Sequence, residues 1–310
     1  MADKMKSQKE IYGETLLELG KTNENIFVIT SDLGNPTKAK MFGDAFPDRY
    51  ADLGIAEQNA ISVAGGVALG GLRPFYSTFG VFAASNFGQI RQSIVYSKAP
   101  VVIVGTHGGL IGKDGASHQA LEEISLMSSL PGMNVFQPAD LMETKQIIEF
   151  LSKNNMIAYV RLSRHPQKDI HTEDYQFEFN KARKILKKDN PRIAILSTGY
   201  IAAHALEAGE ILNEKGIPTE VVSFSTLSPI DKEAILEYKD VDIIITLEDH
   251  NINGGLGSRV CETVSEEGLG ITVKRLGMSC FGTSGDPMEL YCKFNLDSKS
   301  VAMQIEKMLE

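Results

Sequence analysis

The chain has 310 residues, 43% of them hydrophobic and 23% charged, a balance that fits an ordinary globular protein of two domains and not a disordered one. A formal net charge of -9 withholds the positive field that nucleic acids and anionic membranes need, so neither is an expected partner; a local phosphate site is still compatible. Cys261, Cys280 and Cys292 are odd in number with no CxxC spacing, which suits reduced thiols better than a disulfide framework or a zinc site. The polar opening MADKMKSQKEIYGE has no apolar stretch of the signal-peptide kind, and no apolar run reaches membrane-spanning length. A cytoplasmic enzyme or subunit is the expectation.

In chain order, a helix is expected at about residues 8–20, a strand at NIFVITSDL, a strand touching YADLGI, and a small-residue helix at EQNAISVAGGVALGG. A strand at RPFYSTF, a helix at SNFGQIRQSIVYS and a strongly apolar strand at APVVIVGTH follow. Residues 171–190 fall in a charged, aliphatic-poor stretch read as a linker between domains at 1–170 and 191–310. The second half restarts with the strand RIAILSTGY and the helix IAAHALEAGEILNEKG. Strands TEVVSFS, VDIIITLED and ITVKRLG come next, with a helix after GGLGS. Short β-branched runs alternating with helical patterns predict an α/β class: two α/β domains, each a mostly parallel sheet flanked by helices.

Glu57, in GIAEQNA, stands where a strand gives way to a helix of small residues. Partial desolvation there favours a carboxyl that shares a proton with a ring nitrogen; the plainer reading is a first-turn glutamate favoured by the helix dipole. THGGLIGKDGASHQ places His107, Lys113, Asp114, His118 and four glycines directly after a buried strand, where α/β folds bind ligands. The two histidines lack helical zinc spacing, and a polar surface loop is the other alternative. RLSRHP puts Arg161 and Arg164 at a strand end, either as a phosphate fork or as surface arginines. Phe79 and Phe82 form an aromatic platform or simply pack in the core. GGLGS reads mainly as a tight turn, and neither GxGxxG nor GxxxxGK[ST] occurs.

Taken together, SDLGNPTK, DLGIAEQNAISVAGGVALGG, RPFYSTFGVF, the stretch from QIRQSIVYS through THGGLIGKDGASHQALEEI to NVFQPAD, and YVRLSRHP resemble the pyrimidine-binding domain of transketolase. STGYIAAHALEA, LEDHNINGGLGS and FGTSGDPMELYCKF are similar to its C-terminal domain. Deoxyxylulose-phosphate synthases share GIAEQ but have a DRAG-like stretch where this chain has Thr106-His107-Gly108. The β subunits of 2-oxo-acid dehydrogenases share the two-domain plan with a poorer text match.

The resemblance implies a thiamine-diphosphate enzyme that transfers a two-carbon ketol unit from a ketose to an aldose. It implies that Glu57 hydrogen-bonds the cofactor's aminopyrimidine, that Phe79 and Phe82 lie against that ring, and that Asp32 is an acidic position near the cofactor. His107 and His118 are then expected to assist proton transfers at substrate oxygens, Asp114 to read a hydroxyl, and Arg164 to hold the sugar phosphate. The text departs from the family at Gly34-Asn35-Pro36-Thr37, where a serine is usual, at Lys113, where glutamate is usual, and at Lys9, which replaces an arginine. Phosphate binding rebuilt around lysines, or an unusual substrate, follows from these departures. No Gly-Asp-Gly occurs, whereas the family's other domain uses a GDG…N motif to hold the diphosphate through Mg²⁺ or Ca²⁺. The expected partner is therefore a transketolase N-terminal, diphosphate-binding subunit, in a heterotetramer with two copies of each chain around a homodimeric core. A 2-oxo-acid dehydrogenase β subunit and a non-catalytic scaffold of the same fold are the competing readings.

Overall fold

The computed structural model describes residues 5–309. Its first sheet has seven strands: β1 (Ile26–Thr30), β2 (Tyr50–Asp52), β3 (Arg73–Phe79), β4 (Val102–Thr106), β5 (Asn134–Phe136), β6 (Ala158–Leu162) and β10 (Thr226–Ser228). The second has β7 (Arg183–Leu186), β8 (Ile193–Ser197), β9 (Thr219–Ser223), β11 (Ile243–Asn251) and β12 (Thr272–Met278). The orders are β10-β5-β6-β4-β3-β1-β2 and β12-β11-β8-β9-β7. Pairing is parallel throughout except at β10–β5 and β7–β9, both at sheet edges. The α/β reading with two mostly parallel sheets therefore holds, and helices between the strands supply the crossovers that parallel pairing demands.

Burial explains the strand text. All five residues of β4, VIVGT, are buried, as are the five of β6 and the five of β8, so these central strands read as continuous apolar runs and not as alternating ones. The helix Gln8–Gly20 appears where the periodicity placed it, and a capping box between Ser7 and Glu10 starts it. In the Glu57–Leu69 helix, Ala60, Ile61, Ala64, Gly65 and Ala68 face the core. Small residues there permit close approach: a Cβ on Gly65 would lie 2.4 Å from the Ser93 carbonyl oxygen. The segment expected as one helix at SNFGQIRQSIVYS is instead a short α-turn, Phe87–Ile90, running into a π-helical stretch, Arg91–Tyr96.

Residues 171–190 are not a free linker. His171 and Tyr175 bond to Asp140 and Glu143 of the Leu141–Lys153 helix and its cap. Phe177 and Phe179 pack on Phe136 and Phe150, and Arg183–Leu186 then joins the second sheet as edge strand β7. The charged text hid this because an edge strand is half-exposed and needs no apolar alternation. Residues of the second half also enter the first sheet as β10. One core cluster contains Tyr76 and Ile103 of the first sheet together with Leu196 and Ile244 of the second, so the two halves share buried surface. Among the described residues no helix is long and apolar enough to cross a membrane.

The His171–Asp140 contact, 2.8 Å and buried, makes stability pH-dependent. Burial pulls the His171 pKa down, but the Asp140 hydrogen bond and the charges of Glu143 and Asp140 outweigh it and leave the pKa above 6.5. A folded-state pKa above the unfolded one gives stabilisation that is complete below about pH 6.5 and is lost as pH rises through the folded value. Urea unfolding should show His171→Gln costing more stability at pH 5.5 than at pH 8.5, and an equal cost at both would refute the pairing.

Candidate active site

The parallel register gathers the candidate residues at one sheet edge. Thr30 aligns with Asp52 and Ser77, while Phe79 aligns with Thr106 and Thr106 with Leu162. The C-terminal ends of β2, β1, β3, β4 and β6 are therefore neighbours, the position at which open parallel sheets bind ligands. Asp32 follows β1, Glu57 follows β2, Phe79 ends β3, His107 follows β4 and Arg164 follows β6.

At the centre stands an aromatic shelf. Phe79 caps the Gly80–Ser85 helix and Phe82 lies within it, their rings stacked at 5.5 Å and 14°. His107 lies against Phe79 at 3.9 Å, and His118 sets its ring edgewise to Phe79 and Phe82 at 6.4 and 5.8 Å. His107 adopts the left-handed φ of 64°, a conformation that non-glycine residues hold only where surroundings enforce it. The core reading of the phenylalanine pair is thus replaced by a partly open shelf shared with two imidazoles.

The imidazole chemistry can be read from its bonds. The Thr106 hydroxyl donates to the Thr78 carbonyl and lies 2.8 Å from His107 Nδ1. Its lone pair then accepts a hydrogen bond from Nδ1–H, which leaves Nε2 as an acceptor. Burial first, and then the charges of Lys9 and Arg164, push the His107 pKa down to about 2. His118 Nδ1 lies 2.9 Å from the Ser117 hydroxyl.

A cationic rim borders the shelf. Lys9 is pulled below its ordinary pKa by burial and then by the charges of Lys38 and Arg164. Lys9 donates to the Pro36 carbonyl at 3.1 Å, and Arg164 is ion-paired with Asp114. Lys38, with φ of 69°, was not singled out from the sequence; no local pattern marks it, because it reaches the rim through a left-handed turn. Arg161 does not belong to this rim. It is 2% exposed and fully engaged by Glu123 and Asp249, which rules out the phosphate role considered for it.

Glu57 is half-buried at the first position of its helix, and its charge acts on the buried Tyr76, whose hydroxyl lies 3.2 Å from Ser31. Asp32, with φ of 58°, donates its amide to Asp52 at 2.7 Å. Neither carboxylate makes a hydrogen bond or ring contact with the shelf among the described residues; they flank it from the adjoining strand ends. Asp52, which also accepts the Gly54 amide, went unmarked in the sequence because it is a loop-anchoring residue without a motif of its own.

Comparison with known proteins matches two family domains in order along the chain. Residues 4–167 match the transketolase pyrimidine-binding domain, and residues 182–301 match the transketolase C-terminal domain. A Methanocaldococcus jannaschii protein named a transketolase C-terminal section is 40% identical over 303 residues, covering 97% of this chain and 95% of that one. The Pongo abelii transketolase is 33% identical over 313 residues, and this chain spans about half of its length. The Clostridium kluyveri 1-deoxy-D-xylulose-5-phosphate synthase is 31% identical over 303 residues, again over 48% of its length. A solved structure described as a split gene transketolase, inactive beta4 tetramer, superposes with TM-score 0.89 at 38% identity, covering 97% of this chain and 98% of that one. A Campylobacter jejuni transketolase at 21% identity and TM-score 0.83 shares the fold.

Because His107 is held neutral, its ring proton resonances in the isolated chain should not move between pH 5 and pH 8, with His107→Asn supplying the assignment. A midpoint within that range would contradict the burial of the ring.

Proposed function

The chain belongs to the transketolase family, and on that premise we propose that it is the pyrimidine-binding subunit of a two-chain, thiamine-diphosphate-dependent ketol transferase. The observation that carries the proposal is the stacked Phe79–Phe82 shelf, with His107 and His118 on it and Glu57 at the adjoining strand end. An aromatic heterocycle fits that arrangement: a flat apolar face, one imidazole tilted against it and one edge-on, and a half-buried carboxyl capable of holding a ring-nitrogen proton. Thiamine diphosphate, when bound, supplies the electron sink for cleaving the bond beside a ketose carbonyl.

In this reading Phe79 and Phe82 orient the pyrimidine ring and exclude water from one side of it. Glu57 holds the proton at the ring nitrogen, and Asp32 borders the same end. His107 accepts a substrate hydroxyl at Nε2, and His118 exchanges a proton with a substrate oxygen at the mouth of the shelf. Asp114 reads a sugar hydroxyl, while Arg164 with Lys9 and Lys38 binds the sugar phosphate. The charges of Lys38 and Arg164 both bear on Lys9, which supports a phosphate site rebuilt around lysine.

The diphosphate and its Mg²⁺ or Ca²⁺ are assigned to a separate N-terminal subunit. The support is the near full-length match to the Methanocaldococcus jannaschii C-terminal section and to a split-gene structure. Ile55, Leu69, Leu72 and Tyr96 are exposed apolar side chains around the Glu57–Leu69 helix, a surface suited to subunit contact. Two copies of each chain is the proposed assembly. The comparable identity to 1-deoxy-D-xylulose-5-phosphate synthases makes a 2-oxo-acid donor the second reading, selected if pyruvate replaces a ketose phosphate as donor.

In the assembled complex, Glu57→Ala should lower kcat for ketol transfer by about 10²–10⁴-fold, the range for a lost acid–base group. Retention of wild-type turnover would remove the assignment. Arg164→Leu should raise KM for phosphorylated sugars by roughly 10–100-fold, the worth of a hydrogen bond between charged groups, and leave non-phosphorylated analogues nearly unaffected. Equal effects on both sugar classes would place the phosphate elsewhere.

A further inference from the structure

Arg161 is the largest of the fully buried side chains, and its guanidinium binds both halves of the protein. Nε lies 2.6 Å from Glu123, one terminal nitrogen donates to Asp249 Oδ1 at 2.7 Å, and the other donates to the Ala120 and Asp249 carbonyls at 2.9 and 3.0 Å. Arg161 is on β6 of the first sheet, whereas Asp249 is on β11 of the second. Three hydrogen bonds and the contact with Glu123 hold the buried fork in place, away from any phosphate.

The groups it holds form the neck of the segment that carries His107, Asp114 and His118. Gly108 bridges Ala120, and the Gly109 amide donates to the Ala120 carbonyl at 3.0 Å, so the segment leaves and returns at one point. That point rests on the guanidinium. A Cβ on Gly108 would lie 2.3 Å from Arg161 Nε, and one on Gly109 would lie 2.1 Å from Asp249 Oδ2. Second-half residues continue the bracing along the loop. The Asn251 amide donates to the Leu121 carbonyl at 2.7 Å, Gln119 donates to the Thr283 carbonyl at 3.1 Å, and a Cβ on Gly115 would lie 2.6 Å from the Ser284 hydroxyl. Tyr291 fixes the far oxygen of Asp249 at 3.0 Å.

We propose that Arg161 is a positioning residue through which the C-terminal domain, by Asp249, sets the His107–His118 segment for substrate, which makes that domain a working part of the site. The inference rests on the ketol-transfer reading for its kinetic consequence, but its structural arm is independent of it. The cluster also permits a clean test. Burial pushes the Glu123 carboxyl up, against the pull of Arg161. Asp249→Asn then leaves an Arg161–Glu123 pair that is neutral overall, with the shape of the side chain unchanged.

In the two-chain complex, Asp249→Asn should lower kcat/KM for the donor ketose roughly 100-fold, the scale of a displaced catalytic segment, while thiamine diphosphate affinity stays within about twofold. Tyr291→Phe, which removes one bond to Asp249 and tests the same point should the first variant fail to fold, should show the same split to a smaller degree. In the isolated chain, both variants should speed amide hydrogen exchange within residues 107–120 and leave β1 and β3 unchanged. Wild-type kcat/KM in either folded variant, or exchange that rises equally in β1, β3 and the loop, would overturn the inference. A wild-type complex with no ketol transfer would remove the functional reading alone, and the exchange result would then decide this one.

Discussion

Parallel pairing in register is the constraint on which the rest of this molecule depends. When Asp52, Thr30 and Ser77 stand abreast, and Phe79, Thr106 and Leu162 likewise, every segment leaving those strands starts from the same edge. Residues far apart in sequence, from Asp32 to Arg164, become neighbours without any local signal bringing them together. Continuous burial of β4 and β6 secures that register, because a one-residue slip would exchange the two faces of a strand packed on both sides.

The edge alone does not fix the site. The segment between His107 and Ala120 contains four glycines, and a glycine-rich loop costs more entropy to hold than one of ordinary residues. Its ordering comes from outside, through the buried Arg161 fork and the second-half segment around Thr283 and Ser284. The shared core cluster and the migration of β10 into the first sheet express the same coupling at larger scale. The two domains are separate in topology and continuous in packing.

Much of this was legible in the sequence, for identifiable reasons. Strands such as β1, β3, β4, β8, β9 and β11 and the Gln8–Gly20 and Glu57–Leu69 helices were readable because burial leaves a period or an unbroken apolar run. The site text was readable because Glu57, the phenylalanine pair and the histidine segment each sit next to such a strand. What escaped was set by distant partners. Arg161 resembled Arg164 until Asp249, 88 residues onward, claimed it. Strand β7 hid in charged text, and the anchoring of residues 171–179 depended on Asp140 and Phe150, which nothing local announces.

On the proposed reading, this chain presents the pyrimidine face of an active site completed by another subunit. Calorimetric titration of thiamine diphosphate with Mg²⁺ into the chain alone, and into its complex with a diphosphate-binding transketolase subunit, tests that claim most directly when paired with a ketol-transfer assay. Saturable binding and transfer are expected only in the complex. Transfer by the chain alone, or a stable complex that binds no cofactor, would contradict it.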